Sequence, residues 1–224
     1  LISILVLSSI FSFGQTVKYN KNNITFTKDV ITAKYVAQDS CKMVNRYVVG
    51  TKGHFTTIKS AITWLSTNMT SETELFLDAG THLVTDSIHI DLPYNLIIRG
   101  TSSNTCIVNA STGLNGKPFF GLNSNVTFHG FTMDGSTLAN WGDAKPEDMI
   151  RVYNGCDYIE LMDMFLYHGR VGLRLLDSCD IWVFNNIFEK MSGEGIGIYN
   201  ASTRQGNLYD IEINSFTECT KGID

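Results

Sequence analysis

Ile150-Arg151-Val152-Tyr153-Asn154, Leu173-Arg174-Leu175-Leu176-Asp177 and Ile196-Gly197-Ile198-Tyr199-Asn200 are one phrase written three times at offsets of 23 residues. Phe119-Phe120-Gly121-Leu122-Asn123 fits the same frame one longer turn earlier. In each copy the first and third positions are apolar, the residue between them varies, and an Asn or Asp ends the phrase. A short strand closed by a turn-forming Asx reads as one coil of a β-solenoid, because no single coil of this size buries a core and neighbours must stack to do so.

Outward from the phrase, a second strand family shares a frame: Val126-Thr127-Phe128, Ile159-Glu160-Leu161, Ile181-Trp182-Val183 and Tyr209-Asp210-Ile211, spaced by 33, 22 and 28 residues. Each is followed at a constant distance by a large apolar residue, Met133, Leu166, Phe188 or Phe216. A fixed strand frame with variable coil length places the insertions at one corner, the usual seat of function. The largest insertion is Gly135–Glu147. Upstream, Leu75–Leu77, Ser87–Ile90, Asn95–Gly100 and Cys106–Val108 read as strands, with Gly80 in a turn. Before them, Phe55, Ile58, Ala61, Ile62 and Leu65 fall on one face of a helix that would cover the open end of the first coil.

Residues 1–14 are uncharged and apolar, ending in small residues, and read as a secretory signal peptide; the other reading is a buried strand. Residues 15–50 form a leading segment, and 51–224 the solenoid domain. Ile223 begins a further copy of the phrase, which predicts a solenoid continuing past Asp224. With 43% hydrophobic and 17% charged residues the chain has ample core, and a net charge of −5 without a basic run argues against a nucleic-acid surface. The apolar leader is shorter than the roughly 20 residues a membrane span needs. Five cysteines without a C-x-x-C pair exclude zinc-finger and thioredoxin-like readings. Cys156 and Cys179 fall on adjacent coils, as stacked free thiols or as a disulfide.

Gly53-His54-Phe55-Thr56-Thr57-Ile58-Lys59-Ser60-Ala61-Ile62, Leu75-Phe76-Leu77-Asp78-Ala79-Gly80 and Asn95-Leu96-Ile97-Ile98-Arg99-Gly100 resemble the capping helix, first strand and glycine turn, and rung of the pectin lyase-like superfamily. The resemblance covers roughly residues 47–224. It implies an all-β, right-handed parallel β-helix with an N-terminal amphipathic capping helix. It does not fix an activity, since the superfamily holds lyases, hydrolases, esterases, epimerases, tailspikes and noncatalytic adhesins. The catalytic signatures of polygalacturonases, pectate lyases and pectin methylesterases are not matched, so no catalytic residue is carried over.

The alternation within the phrase turns Arg151, Arg174 and Gly197 outward as one column and Tyr153, Leu176 and Tyr199 as another. Guanidinium forks suit a uronate or sulfate, and aromatic faces suit the CH faces of sugar rings; the alternative is a solvated charged face. Hydrolysis requires two carboxylates across a groove. Asp148 and Glu194 share a frame position two coils apart, compatible with the spacing of an inverting pair, although acids are common in turns. Elimination requires a base and a cation for the uronate carboxylate, which nominates His168 and Arg170 beside Arg151 and Arg174. Trp141, in the long loop, is a candidate sugar-stacking residue or an anchor for that loop. The column Asn123, Asn154, Asp177 and Asn200 reads as structural, and neither a metal nor a cofactor is expected.

These residues predict a secreted or cell-surface β-helix that binds, and cleaves, a polysaccharide or cell-surface glycan by lyase or hydrolase chemistry. The competing expectation is a noncatalytic adhesin, tailspike-like or surface-structural protein, which would show stacked apolar columns without titratable groups converging on one groove.

Overall fold

Alternation carries the architecture: in Thr73–Leu77, Leu96–Gly100 and Cys106–Ala110 every second residue is buried and those between are half-buried. That is the period of a strand with one face in a core. The computed structural model describes residues 17–20, 23–26, 44–110, 114–138, 147–153, 156–176, 179–199 and 208–224. The chain divides into two compact units, Leu1–Met43 and Val44–Asp224. In the first, β1 (Val17–Asn20) pairs antiparallel with β2 (Asn23–Phe26). Residues 1–14, Cys41, Trp141, Asn154, Asp177 and Asn200 lie outside the described residues.

The second unit opens with β3 (Asn45–Val49) and α1 (Ile58–Asn68), and then winds in three-strand coils. The first coil is β4 (Thr73–Leu77), β5 (Gly80–Val84) and β6 (Ile88–Ile90); the second is β7 (Leu96–Gly100), β8 (Cys106–Ala110) and β9 (Phe120–Leu122). The third is β10 (Val126–His129), β11 (Thr132–Asp134) and β12 (Ile150–Val152); the fourth is β13 (Tyr158–Met162), β14 (Phe165–Gly169) and β15 (Leu173–Leu175). β16 (Asp180–Phe184), β17 (Ile187–Met191) and β18 (Glu194–Ile198) form the fifth, and β19 (Tyr209–Glu212), β20 (Ser215–Thr217) and β21 (Lys221–Ile223) the sixth. The first strands of the coils, with β3, make one parallel sheet, the second strands another and the third strands a third. The fold is therefore a parallel β-helix.

Stacking in register puts like residues above one another and fills the interior with ladders. Leu75, Ile98, Phe128, Leu161 and Val183 line up in the first sheet, and Val108, Met133, Leu166 and Phe188 in the second. All nine are sealed from solvent. Burying each such side chain contributes roughly 1.5–3 kcal/mol, which the backbone entropy of ordering largely offsets. The expected large apolar column Met133, Leu166, Phe188 and Phe216 is this second-sheet ladder, and Phe188 stacks on Phe216 with ring centroids 5.1 Å apart.

The phrase copies at 150, 173 and 196 align as read, with Arg151 opposite Arg174 and Arg174 opposite Gly197. The earlier copy is displaced by one residue: Phe120, not Phe119, lies opposite Ile150, so Asn123 falls opposite Tyr153 rather than Asn154. Phe119 and Phe120 are both fully buried, so hydrophobicity alone does not tell which of them starts the strand. β5, taken in the sequence as a turn, begins at Gly80 itself, whose φ of 126° needs no Cβ.

From the third coil onward, the corner between the first and second sheets is short and repeats its conformation. Gly130, Asp163, Asn185 and Ile213 all take left-handed φ, between 53° and 71°, and each is followed by one residue before the second-sheet strand. Beside them runs an asparagine ladder. Asn186 donates to Leu161 O and Phe184 O, accepts from Met164 N at 2.9 Å, and meets Asn214 Oδ1 at 3.0 Å. The insertions are not confined to one corner: residues 135–149 lie between the second and third sheets, 199–208 between the third sheet and the next coil, and 101–105 between β7 and β8.

α1 starts where Thr57 Oγ1 accepts from Ser60 N and Ser60 Oγ accepts from Thr57 N, a capping box that satisfies two otherwise orphaned N–H groups. It buries Ile58, Ala61, Ile62 and Leu65, four of the five residues on the expected face. Phe55 precedes it and bridges to Val49 instead.

Candidate functional site

The outer face of the third sheet gathers most of the nominated residues around one carboxylate. Asp148 precedes β12 and its side chain is fully buried. Arg151, on β12, donates from Nε at 2.7 Å to Asp148 Oδ2. Arg170, in the turn before β15, donates from Nε to Oδ1 at 2.7 Å and from NH2 to Oδ2 at 2.9 Å. Arg174, on β15, brings NH1 to 3.6 Å from Oδ2. Three guanidiniums from adjacent coils thus share one anion, an arrangement their mutual repulsion would forbid without it. Burial works against the Arg151 charge, yet the Asp148 charge and hydrogen bond outweigh it and hold that guanidinium's pKa above its ordinary value.

Sealing gives Asp148 a different job from the acid or base for which its position nominated it: no substrate atom reaches it. Glu194, two coils along with Val171 between, is the other carboxylate in that frame. It is 7% exposed, and its Oε2 has no hydrogen-bond donor among the described residues. Burial, followed by the charge of Glu194 and a hydrogen bond to it, pushes the Tyr199 phenol above its ordinary pKa, so it stays protonated. The Arg174 guanidinium lies 4.5 Å from the centroid of the Tyr199 ring, and Arg151 NH1 lies 3.5 Å from the Tyr153 hydroxyl.

Both tyrosines lie across glycines. A Cβ on Gly197 would come within 2.7 Å of the Tyr199 ring, and one on Gly121 within 3.1 Å of Tyr153 and 3.0 Å of His89 Nδ1. Glycine at those outward positions is what lets the rings lie close to the sheet. His89, whose ring centroid is 6.0 Å from that of Tyr153, extends the face by one more residue that sequence reasoning missed. The available signal was a glycine between two apolar residues, in Phe120-Gly121-Leu122 and Ile196-Gly197-Ile198, with a tyrosine nearby.

His168 belongs to the second sheet rather than the third. It takes a left-handed φ of 62° on β14, its Nδ1 is 3.3 Å from Gly135 O, and its register neighbour Lys190 has the same conformation at 57°. The same left-handed conformation recurs at Glu218, at 52°. Trp141 falls outside the described residues, as do three of the four Asx residues at 123, 154, 177 and 200.

Cys106, Cys156 and Cys179 are buried free thiols. A hydrogen bond with Cys156, then burial, raises the Cys179 pKa, and burial raises that of Cys106 to about 11. No group of three or more His, Cys, Asp or Glu among the described residues is arranged to hold a metal.

No protein-family model matches the chain, and no curated protein does. One solved structure, ORF18 of Geobacillus virus E2, is similar with 16% identity and a TM-score of 0.33, over 92% of this chain and 54% of its own length. The chain spans about half the length of that protein.

Proposed function

We propose that the protein is a secreted, right-handed β-helix of the pectin lyase-like type, with α1 capping its first coil. The outer face of its third sheet binds an anionic polysaccharide and cleaves it. One observation carries the reading: three arginines fixed around a single buried carboxylate, flanked by two tyrosines laid over glycines, on a chain whose net charge is −5. Guanidinium groups held in place lose little entropy on pairing with a uronate, and tyrosine faces receive sugar rings.

Of the two cleavage chemistries, elimination suits the residues better. Hydrolysis needs a second reachable carboxylate, and Asp148 is sealed. In an elimination, Arg151 and Arg174 neutralise the uronate carboxylate and Glu194 takes the proton from the carbon beside it. The C–H electrons form the new double bond as the glycosidic C–O bond breaks. Tyr199 protonates the leaving oxygen and recovers its proton from Glu194. The sealing of Asp148 also favours a second reading, a noncatalytic glycan-binding or surface-structural protein, because Glu194, itself only 7% exposed, is then the one nominated carboxylate left for chemistry.

A panel of uronate-containing and neutral polysaccharides decides between them. The elimination reading expects unsaturated-product absorbance with a uronate polymer, abolished in Glu194→Gln and strongly reduced in Arg174→Gln. Glycan binding without that absorbance or new reducing ends supports the second reading. Neither binding nor cleavage with any polymer defeats both.

A further inference from the structure

We propose a second binding site, for an oxyanion, on the outer face of the first sheet, where β3, β4 and β7 meet the corner that follows β7. It does not depend on the third-sheet reading. A groove of about 540 Å³ is lined there by Arg46, Phe76, Arg99, Thr101, Ser102 and His129, among others.

Register assembles it. Arg46 lies opposite Glu74, and Phe76 opposite Arg99, which in turn lies opposite His129. All of these alternate with the buried ladder Leu75, Ile98 and Phe128, and so face outward. Glu74 is the local anchor: its side chain is only 16% exposed, with Arg46 Nε at 3.7 Å and Arg99 Nε at 3.3 Å. One carboxylate therefore serves two guanidiniums whose side chains are about half and two-fifths exposed. Arg46 is further held at 4.2 Å from the centroid of the Phe76 ring, a cation over an aromatic face.

The pairing leaves polar atoms unspent. Arg99 Nε is buried and makes no well-aligned hydrogen bond, its approach to Glu74 being a contact of charges. His129 Nε2 is 3.0 Å from Asp163 Oδ2, while its buried Nδ1 has no partner among the described residues. Asp163, the other acid at the groove, also accepts from Asn185 at 2.6 Å. Across the groove, the hydroxyls of Thr101 and Ser102 both lie 2.8 Å from Thr105 Oγ1.

Two fixed guanidiniums over one carboxylate, beside a turn bearing hydroxyls, match an oxyanion that accepts several donors at once: a sulfate, phosphate or carboxylate group. The groove is too polar for an apolar ligand and offers a neutral sugar no aromatic face, since Arg46 occupies that of Phe76.

Calorimetric titration with inorganic sulfate tests the site. The expected result is saturable binding that weakens about tenfold in Arg99→Gln and is unchanged in Lys59→Gln on α1, whose lysine pairs with Asp86 away from the groove. Arg46→Gln, at a more exposed residue, gives the same answer should Arg99→Gln fold poorly. A sulfated disaccharide, run beside its unsulfated counterpart, separates two sources of the same chemistry. Tighter binding than sulfate assigns the site to a saccharide-borne group, and equal binding to the free ion. Absence of saturable sulfate binding, or loss in Arg174→Gln with Arg46→Gln and Arg99→Gln unaffected, overturns the proposal.

Discussion

Arg170 grips Asp148 with two near-parallel hydrogen bonds, Nε to Oδ1 at 2.7 Å and NH2 to Oδ2 at 2.9 Å, across the step between two coils. A two-pronged contact of this kind fixes the plane of the carboxylate, and through it the places of Arg151 and Arg174. Asp148→Asn removes the shared anion and leaves three guanidiniums facing one another. Loss of a buried partner costs about 3–5 kcal/mol, so the urea midpoint should fall markedly. Arg174→Gln, whose approach to Asp148 is 3.6 Å, should cost under about 1 kcal/mol. Equal losses in the two variants would show that Asp148 is not the organiser.

Asp86 lies between Lys59 of α1 at 2.8 Å and Lys117 at 3.3 Å. Hydrogen bonds and charge from these two lysines lower its pKa to about 2. The folded value is below the unfolded value of about 3.9, so the stabilisation is present above that value and is lost as the pH falls toward 2. Its side chain is about half exposed, and solvent screening limits the effect to a few tenths of a kcal/mol. Denaturation of Asp86→Asn should show a small deficit at neutral pH that shrinks in acid and in high salt. A deficit that persists below pH 2 would contradict this.

Ile213 occupies the left-handed corner column at φ 54°, where Gly130, Asp163 and Asn185 stand in the other coils, and it is 69% exposed. A β-branched residue in that conformation is strained, and Asn relieves roughly 1 kcal/mol of it without disturbing a core contact. Ile213→Asn should raise the melting temperature by a few degrees. No change, or a fall, would mean that the side chain contributes packing that exposure does not reveal.

The buried thiols Cys106, Cys156 and Cys179 should resist a thiol reagent at pH 8 in the native protein and react fully once it is unfolded. Burial disfavours the Cys106 thiolate, and the hydrogen bond with Cys156, then burial, that of Cys179. Native reaction of these three at the rate of an exposed thiol would refute the packing described.

Periodicity made the solenoid readable, because stacking forces equivalent residues into one frame and the Ile150, Leu173 and Ile196 copies carry it almost unaltered. The same logic placed Arg151 and Arg174 in one outward column. Phe119 slipped by a residue because two adjacent phenylalanines are equally buried and no turn residue separates them. The union of Asp148 with Arg170 was not legible, since it is made between turns, where spacing along the chain says little about direction. The ladder of Asn186 and Asn214 escaped for a related reason: an amide that satisfies backbone groups inside a corner has the same composition as one at a surface turn.

That ladder divides the labour among the three corners. At the corner it lines, one left-handed residue and one that follows it recur in four successive coils, and the Asn186 side chain ties three of those coils together. A length change there would break several bonds at once. The corner between the second and third sheets already carries stretches as different as 170–172 and 135–149, and the corner after the third sheet stretches as different as 123–125 and 199–208. From the third coil on, the molecule is thus a spine with two editable margins: surface segments can be exchanged wholesale while the stacked frame that presents them keeps its register.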